Sequence, residues 1–268
     1  MAEKLLRLSR EVRFGLHEHP LPHVDSSNGL AGNPALVGLT PFVAVEVIAV
    51  GVADPRLGML VNIKLIDAVV RENVVEMIRA YYCVREDERA GGDLALHVLA
   101  RIEERLRAKG VSTESVKLKL SPYLELAVWA KEPKVVEVTE LFDFSAAHRL
   151  HSAALSAEEN LAAFGKCFNA NGHGHNYTLA VTVAGVPDAR TGAVIAIGEL
   201  QRVVNSRVID GFDHKHLNLD CAEFKELNPT VENIARVIFE KLDGGFGGVK
   251  LKRVRVWETP KTWAECEG

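Results

Sequence analysis

Gly51-Val52-Ala53-Asp54-Pro55-Arg56-Leu57-Gly58-Met59 and Gly185-Val186-Pro187-Asp188-Ala189-Arg190-Thr191-Gly192-Ala193 set Gly, Val, Asp and Gly in one register about 134 positions apart. The flanks repeat as well. Strand-like runs precede the two copies, Phe42 to Val50 and Tyr177 to Ala184, and a second strand with the start of a helix follows each, Leu60 to Val70 and Val194 to Val204. Further along, Ala100-Arg101-Ile102 matches Ala235-Arg236-Val237 inside helical patterns, and Val116-Lys117-Leu118-Lys119 matches Val249-Lys250-Leu251-Lys252 in strands. Self-similarity that keeps turns, helices and terminal strands in order indicates one structural unit used twice.

The outline of each unit is β-β-α-α-β-β, with a join near Lys131-Glu132-Pro133-Lys134, so the expected units are residues 1–134 and 135–268. Glycine at Gly58 and Gly192 can take the left-handed conformation, and the Asp-x3-Gly connections therefore read as hairpin turns. Leu94, Val98, Ile102 and Leu106 recur at helical spacing, as do Val231, Ile234, Ile238 and Leu242, which gives each unit an amphipathic helix. The fold class is α+β, a four-stranded antiparallel sheet with two helices on one face. Such a sheet leaves edges and a second face to cover, and oligomerisation covers them.

Composition narrows the function. Hydrophobic residues make up 47% and charged residues 25% of 268, and the net charge of -4 provides no basic surplus for gripping nucleic acid. The sequence has no run of eighteen apolar residues, and Met1-Ala2-Glu3-Lys4-Leu5 lacks the layout of a signal peptide, so no membrane partner and a cytoplasmic location are expected. Cys83, Cys167, Cys221 and Cys266 are scattered without CxxC spacing, the pattern of reduced thiols rather than of a disulfide framework.

The chemistry concentrates in Cys167-Phe168-Asn169-Ala170-Asn171-Gly172-His173-Gly174-His175-Asn176-Tyr177. Residues two apart on a strand share a face, so His173 and His175 point into one volume and form half of a metal site. A third ligand has two candidates upstream, His148 and His151, which face opposite sides of a strand, so that at most one can join. Asp213 beside His214 is a pair suited to orienting a proton-transferring imidazole. Glu258, among apolar neighbours in Val256-Trp257-Glu258-Thr259-Pro260, is a carboxylate that requires a partner if buried.

Together FSAAHRLHSAALSAEENLAAFGKCFNANGHGHNY (144–177), DHKHLNLD (213–220), PTVEN (229–233) and VWET (256–259) resemble the 6-pyruvoyl-tetrahydropterin synthase family, whose relatives include the 6-carboxy-tetrahydropterin synthase of queuosine biosynthesis. The resemblance runs over about residues 140 to 265. It implies the tunnelling fold (T-fold), in which units close into barrels that stack, and Zn2+ bound by His148, His173 and His175. Cys167 is then the catalytic thiol, Asp213 and His214 its proton-relay partners, Glu258 the anchor of the pterin ring, and Thr230 and Glu232 further pocket residues. The reaction implied takes 7,8-dihydroneopterin triphosphate to 6-pyruvoyl-tetrahydropterin with elimination of triphosphate, which Arg149, Lys166 or Lys215 would meet. The carboxy product is the rival within the class, and a non-catalytic pterin-binding protein is the rival outside it. The five residues between Cys167 and His173 resemble the pyruvoyl enzymes.

In the repeat register the first copy lacks these groups. Asn33 stands near Cys167, Leu39 and Pro41 near the two histidines, and Arg79 replaces the Asp-His pair, while Glu125 falls opposite Glu258. His17, His19 and His23 lie in a Pro- and Gly-rich stretch read as surface. The expectation is a degenerate first unit that keeps the fold, and a homotrimer in which three fused chains supply six units.

Overall fold

The computed structural model describes residues 4–17, 32, 39–83 and 91–268. His19, His23 and Asn33 lie outside the described residues. The chain divides into two compact units, Met1–Val138 with Gly185–Val194, and Thr139–Ala184 with Ile195–Gly268.

In the first unit, β1 (Leu6–Gly15) pairs with β2 (Phe42–Gly51), and after α1 (Ile63–Val69), α2 (Val75–Cys83) and α3 (Gly92–Arg107) come β3 (Ser112–Lys119) and β4 (Leu124–Trp129). The strand order is β1-β2-β3-β4, antiparallel throughout. Alternation along β2 buries Val43, Val45, Val47 and Ala49, and α3 buries Leu94, Val98, Ile102 and Leu106, the stripe expected from helical spacing. Each of the Val, Leu and Ile side chains among these contributes roughly 1.5–3 kcal/mol of apolar burial. On the charged side, Glu11 and Glu46 meet Lys119 at 2.6 and 3.2 Å, and Arg7 meets Glu114 at 2.7 Å.

The second unit contains β5 (Val136–His148) from Thr139 onward, α4 (Ala157–Phe164), β6 (His173–Gly185), α5 (Ile197–Val204), α6 (Asp210–Phe212), β7 (Lys215–His216), α7 (Leu217–Asp220), α8 (Val231–Leu242), β8 (Lys250–Thr259) and β9 (Thr262–Glu267). Here the order is β5-β6-β8-β9. Val231, Ile234, Ile238 and Leu242 of α8 are buried, again the expected stripe. The two-residue β7 pairs parallel to β5 through Ala146↔Lys215 and Ala147↔His216, an addition to the antiparallel sheet that was expected.

The Asp-x3-Gly segments are turns, but neither closes a β-hairpin. Asp54 Oδ1 accepts from the N–H groups of Arg56 and Leu57, and Asp188 Oδ1 from those of Arg190 and Thr191. The loops are closed by Asp54 N–H to the Met59 carbonyl and Asp188 N–H to the Ala193 carbonyl. With the turn's polar groups satisfied locally, the chain passes into a helix at Ile63 and at Ile197 instead of a second strand. Strand partners come instead from β1 and β5.

Irregularities recur at the same period. The strand register shifts between Ile48 and Ala49 in β2 and between Thr182 and Val183 in β6. Five-residue π-helical turns, Val70–Val74 and Asn205–Ile209, follow α1 and α5. Among the described residues no helix is long and apolar enough to cross a membrane.

Candidate active site

Three imidazoles meet where β5 ends and β6 begins. One ligand-capable atom from each of His148, His173 and His175 lies within 4.8 Å of the others, the one group of this kind among the described residues. His148 is fully buried. Its Nδ1 donates to the Pro229 carbonyl at 2.7 Å, and since a carbonyl only accepts, the tautomer is fixed with the Nε2 lone pair facing the cluster. Burial pulls its pKa down to about 4, against the opposing effect of the Pro229 bond, so the ring is neutral at ordinary pH.

His148 Nε2 stands 3.1 Å from His173 Nε2. His175 Nε2 is buried with no hydrogen-bond partner among the described residues. Ligand nitrogens around a tetrahedral zinc ion stand about 3.4 Å apart, from bond lengths of about 2.0–2.1 Å. Converging imidazoles with an orphaned buried nitrogen therefore fit a divalent cation, and zinc by donor type. Glu258 borders the same volume, its Oε1 3.5 Å from His148 Nε2 and 3.6 Å from His175 Nε2.

Cys167 is half-buried in the short 3-10 turn Gly165–Phe168. Burial first, and then the charge on Glu258, pushes its thiol pKa up. The chain's own groups thus work against the thiolate, so a positive charge is required nearby for Cys167 to act as a base.

Asp213 and His214 are locked to β5. Asp213 Oδ1 accepts from the Ser145 N–H at 2.8 Å, and the His214 N–H donates back to the Ser145 carbonyl at 2.6 Å. This double clamp holds His214 at φ 57, the one positive value among the described non-glycine residues and a strained position of the kind found at functional sites. Asp213 Oδ2 lies 2.7 Å from His214 Nδ1. The Ser145 N–H first, and His214 second, hold the Asp213 carboxyl below its usual range. The imidazole of His214 is 83% exposed and shares the wall of a cavity of about 510 Å³ with Ser145, Gly174, His175 and His216.

Thr230 and Glu232 take other places. The Thr230 hydroxyl caps α8 by accepting from the Asn233 N–H at 3.3 Å; its tie to the cluster is its neighbour Pro229, which holds His148. Glu232 is exposed on the first turn of α8. His151 is exposed and stacks on Phe168, with ring centroids 5.7 Å apart. In the first unit Leu39 is fully exposed, Glu125 pairs with Lys117 at 3.3 Å, and Arg79 pairs with Glu76.

Two residues were not singled out from the sequence. His216 lines the 510 Å³ cavity and a second of about 300 Å³, and its Nδ1 is buried with no partner among the described residues. The signal was its alternate position after His214. Tyr177 continues the alternation of His173 and His175 and is fully buried.

A family model described as 6-pyruvoyl tetrahydropterin synthase matches residues 137–268. The 6-pyruvoyl tetrahydrobiopterin synthase of Homo sapiens is 42% identical over 123 residues, which are 46% of this chain and 85% of that protein. The Drosophila melanogaster protein of the same name is 42% identical over 140 residues, 50% of this chain and 80% of its own length. Among solved structures, 6-pyruvoyl tetrahydropterin synthase of Caenorhabditis elegans is similar at 41% identity, over 50% of this chain and 96% of that one, with a TM-score of 0.48. At this identity over most of the relatives' length, the chain belongs to the 6-pyruvoyl tetrahydropterin synthase family and is a lyase of that type.

Proposed function

We propose that the second unit converts 7,8-dihydroneopterin triphosphate to 6-pyruvoyl-tetrahydropterin with elimination of triphosphate, using zinc held by His148, His173 and His175. The observation that carries this reading is the convergence of three imidazoles beside a thiol and a carboxylate. When bound there, zinc supplies positive charge that polarises the substrate's side-chain oxygens and offsets the upward push on Cys167.

The chain's own groups do the rest. Cys167 as thiolate removes a carbon-bound proton from the side chain of the pterin. His214, held on Asp213 Oδ2, relays a proton at its exposed Nε2, and the low Asp213 pKa keeps the carboxylate charged so that it stabilises the imidazolium. Glu258 receives the N–H edge of the pterin ring as a bidentate acceptor. Thr230 serves by fixing the turn that presents the Pro229 carbonyl to His148, and Glu232, exposed on the first turn of α8, is kept as a pocket residue on the family resemblance. Arg149, Lys166 and Lys215 are the cations offered to the triphosphate.

The recurring turns, register shifts and π-helical turns support reading residues 1–134 as a copy of the unit at 135–268 that has lost the site. Three such chains then supply six T-fold units. The carboxy product of queuosine biosynthesis is not favoured, because the similar curated proteins carry the pyruvoyl name. Incubating the zinc-loaded chain with 7,8-dihydroneopterin triphosphate tests the reading: release of triphosphate is expected, and a substrate left intact contradicts it.

A further inference from the structure

Tyr177 follows His173 and His175 at alternate positions of β6, so its side chain leaves the strand on the face that carries the imidazoles. The ring is fully buried. It stacks on Phe144 with centroids 4.9 Å apart and meets His175 and His148 edge-on at 5.6 and 6.3 Å. The ring contacts run on from Phe144 to Phe212 and from Phe212 to Phe224. Phenylalanine thus serves everywhere along this chain of rings except where it reaches the histidines. There the sequence has a hydroxyl, which is buried with no hydrogen-bond partner among the described residues.

An unpaired buried hydroxyl costs stability that phenylalanine would not forfeit. The register explains what the group faces. Thr178 pairs with Trp257, so one step earlier Tyr177 stands across from Glu258. A phenol carries its own proton and can donate it in a hydrogen bond.

We propose that Tyr177 is a further substrate-binding residue, whose hydroxyl donates a hydrogen bond to an oxygen of the substrate side chain lodged beside the three histidines and Glu258. This rests on the lyase reading above for the identity of that side chain. It is a specificity element, because a side chain without an oxygen there would leave the phenol unpaired.

The test compares the zinc-loaded wild type with Tyr177→Phe by fluorescence titration with 7,8-dihydroneopterin, which carries the hydroxylated side chain and no triphosphate to eliminate. A rise in Kd of roughly tenfold is expected, the size of one lost hydrogen bond, with unchanged metal content and a metal-free melting temperature no lower than that of the wild type. Equal Kd values overturn the proposal, and so does a wild type that does not bind this pterin. A lower melting temperature with lost metal also overturns it, by assigning the hydroxyl to support of the cluster. Failure of the wild type to turn over the triphosphate counts separately, against the lyase reading alone, because the titration needs no turnover.

Discussion

Replacing His148 by phenylalanine separates metal binding from folding. Phe14, about 134 positions earlier in β1, is fully buried, so under the proposed repeat an aromatic ring without nitrogen fills the matching strand position. In His148→Phe the Pro229 carbonyl loses its 2.7 Å donor. An orphaned buried acceptor costs about 1–3 kcal/mol, which lowers the metal-free melting temperature by roughly 4–12 °C for a unit of this size. The larger effect concerns the ion. Zinc at one hundred times its Kd stabilises a native state by about 2.7 kcal/mol, or roughly 10 °C here. Scanning calorimetry of chelator-treated protein, with and without added zinc, reads both terms. The wild type is expected to gain the full shift and His148→Phe almost none, since two imidazoles remain. A variant that keeps the wild-type shift would refute the assignment of His148 as a ligand.

Cys167→Ala should lose at least about a hundredfold in kcat, the low end for removal of a general base, while dialysed protein retains its metal; wild-type turnover would remove the thiol from the mechanism. Glu258→Ala should raise KM for the pterin with metal content unchanged, and metal loss in elemental analysis would instead make this carboxylate, 3.5 Å from His148 Nε2, a fourth ligand. Glu140 is buried in β5, with Oε2 unpaired among the described residues. Burial raises its pKa and the Gln201 bond opposes the rise. The folded state therefore holds this proton more tightly than the unfolded chain, so its stabilising contribution is fully present below the unfolded value near 4.5 and is lost as pH rises through the folded value. Glu140→Gln should be more stable than the wild type in denaturant melts at neutral pH and flatter across that window; an unchanged pH profile would contradict it.

Periodicity revealed the helices because burial there follows one stripe, as Leu94 to Leu106 and Val231 to Leu242 show. It misread the strands. Asp54 and Asp188 do make turns, but whether a helix or a strand follows depends on Asn62 capping α1 and on β1 already filling the place beside β2, and neither is local to the turn. β7 was hidden because two residues carry no periodicity.

Within the site, alternation alone put His173 and His175 on one face. It could not choose between His148 and His151. Burial distinguishes them, one fully enclosed and bonded to Pro229, the other exposed against Phe168, and the Pro229 contact spans 81 positions. In sequence Thr230 reads only as a pocket residue, through the resemblance, and its bond to the Asn233 N–H makes it the cap of α8. The strained backbone of His214 has no sequence signature at all, since its cause is Ser145 on another strand.

One three-histidine site per chain is proposed to produce 6-pyruvoyl-tetrahydropterin. Mass spectrometry of the product formed from 7,8-dihydroneopterin triphosphate by protein of measured zinc content tests it most directly. One zinc per chain, release of triphosphate and the pyruvoyl product are expected. A 6-carboxy product, or the same turnover after the zinc has been removed, would contradict it.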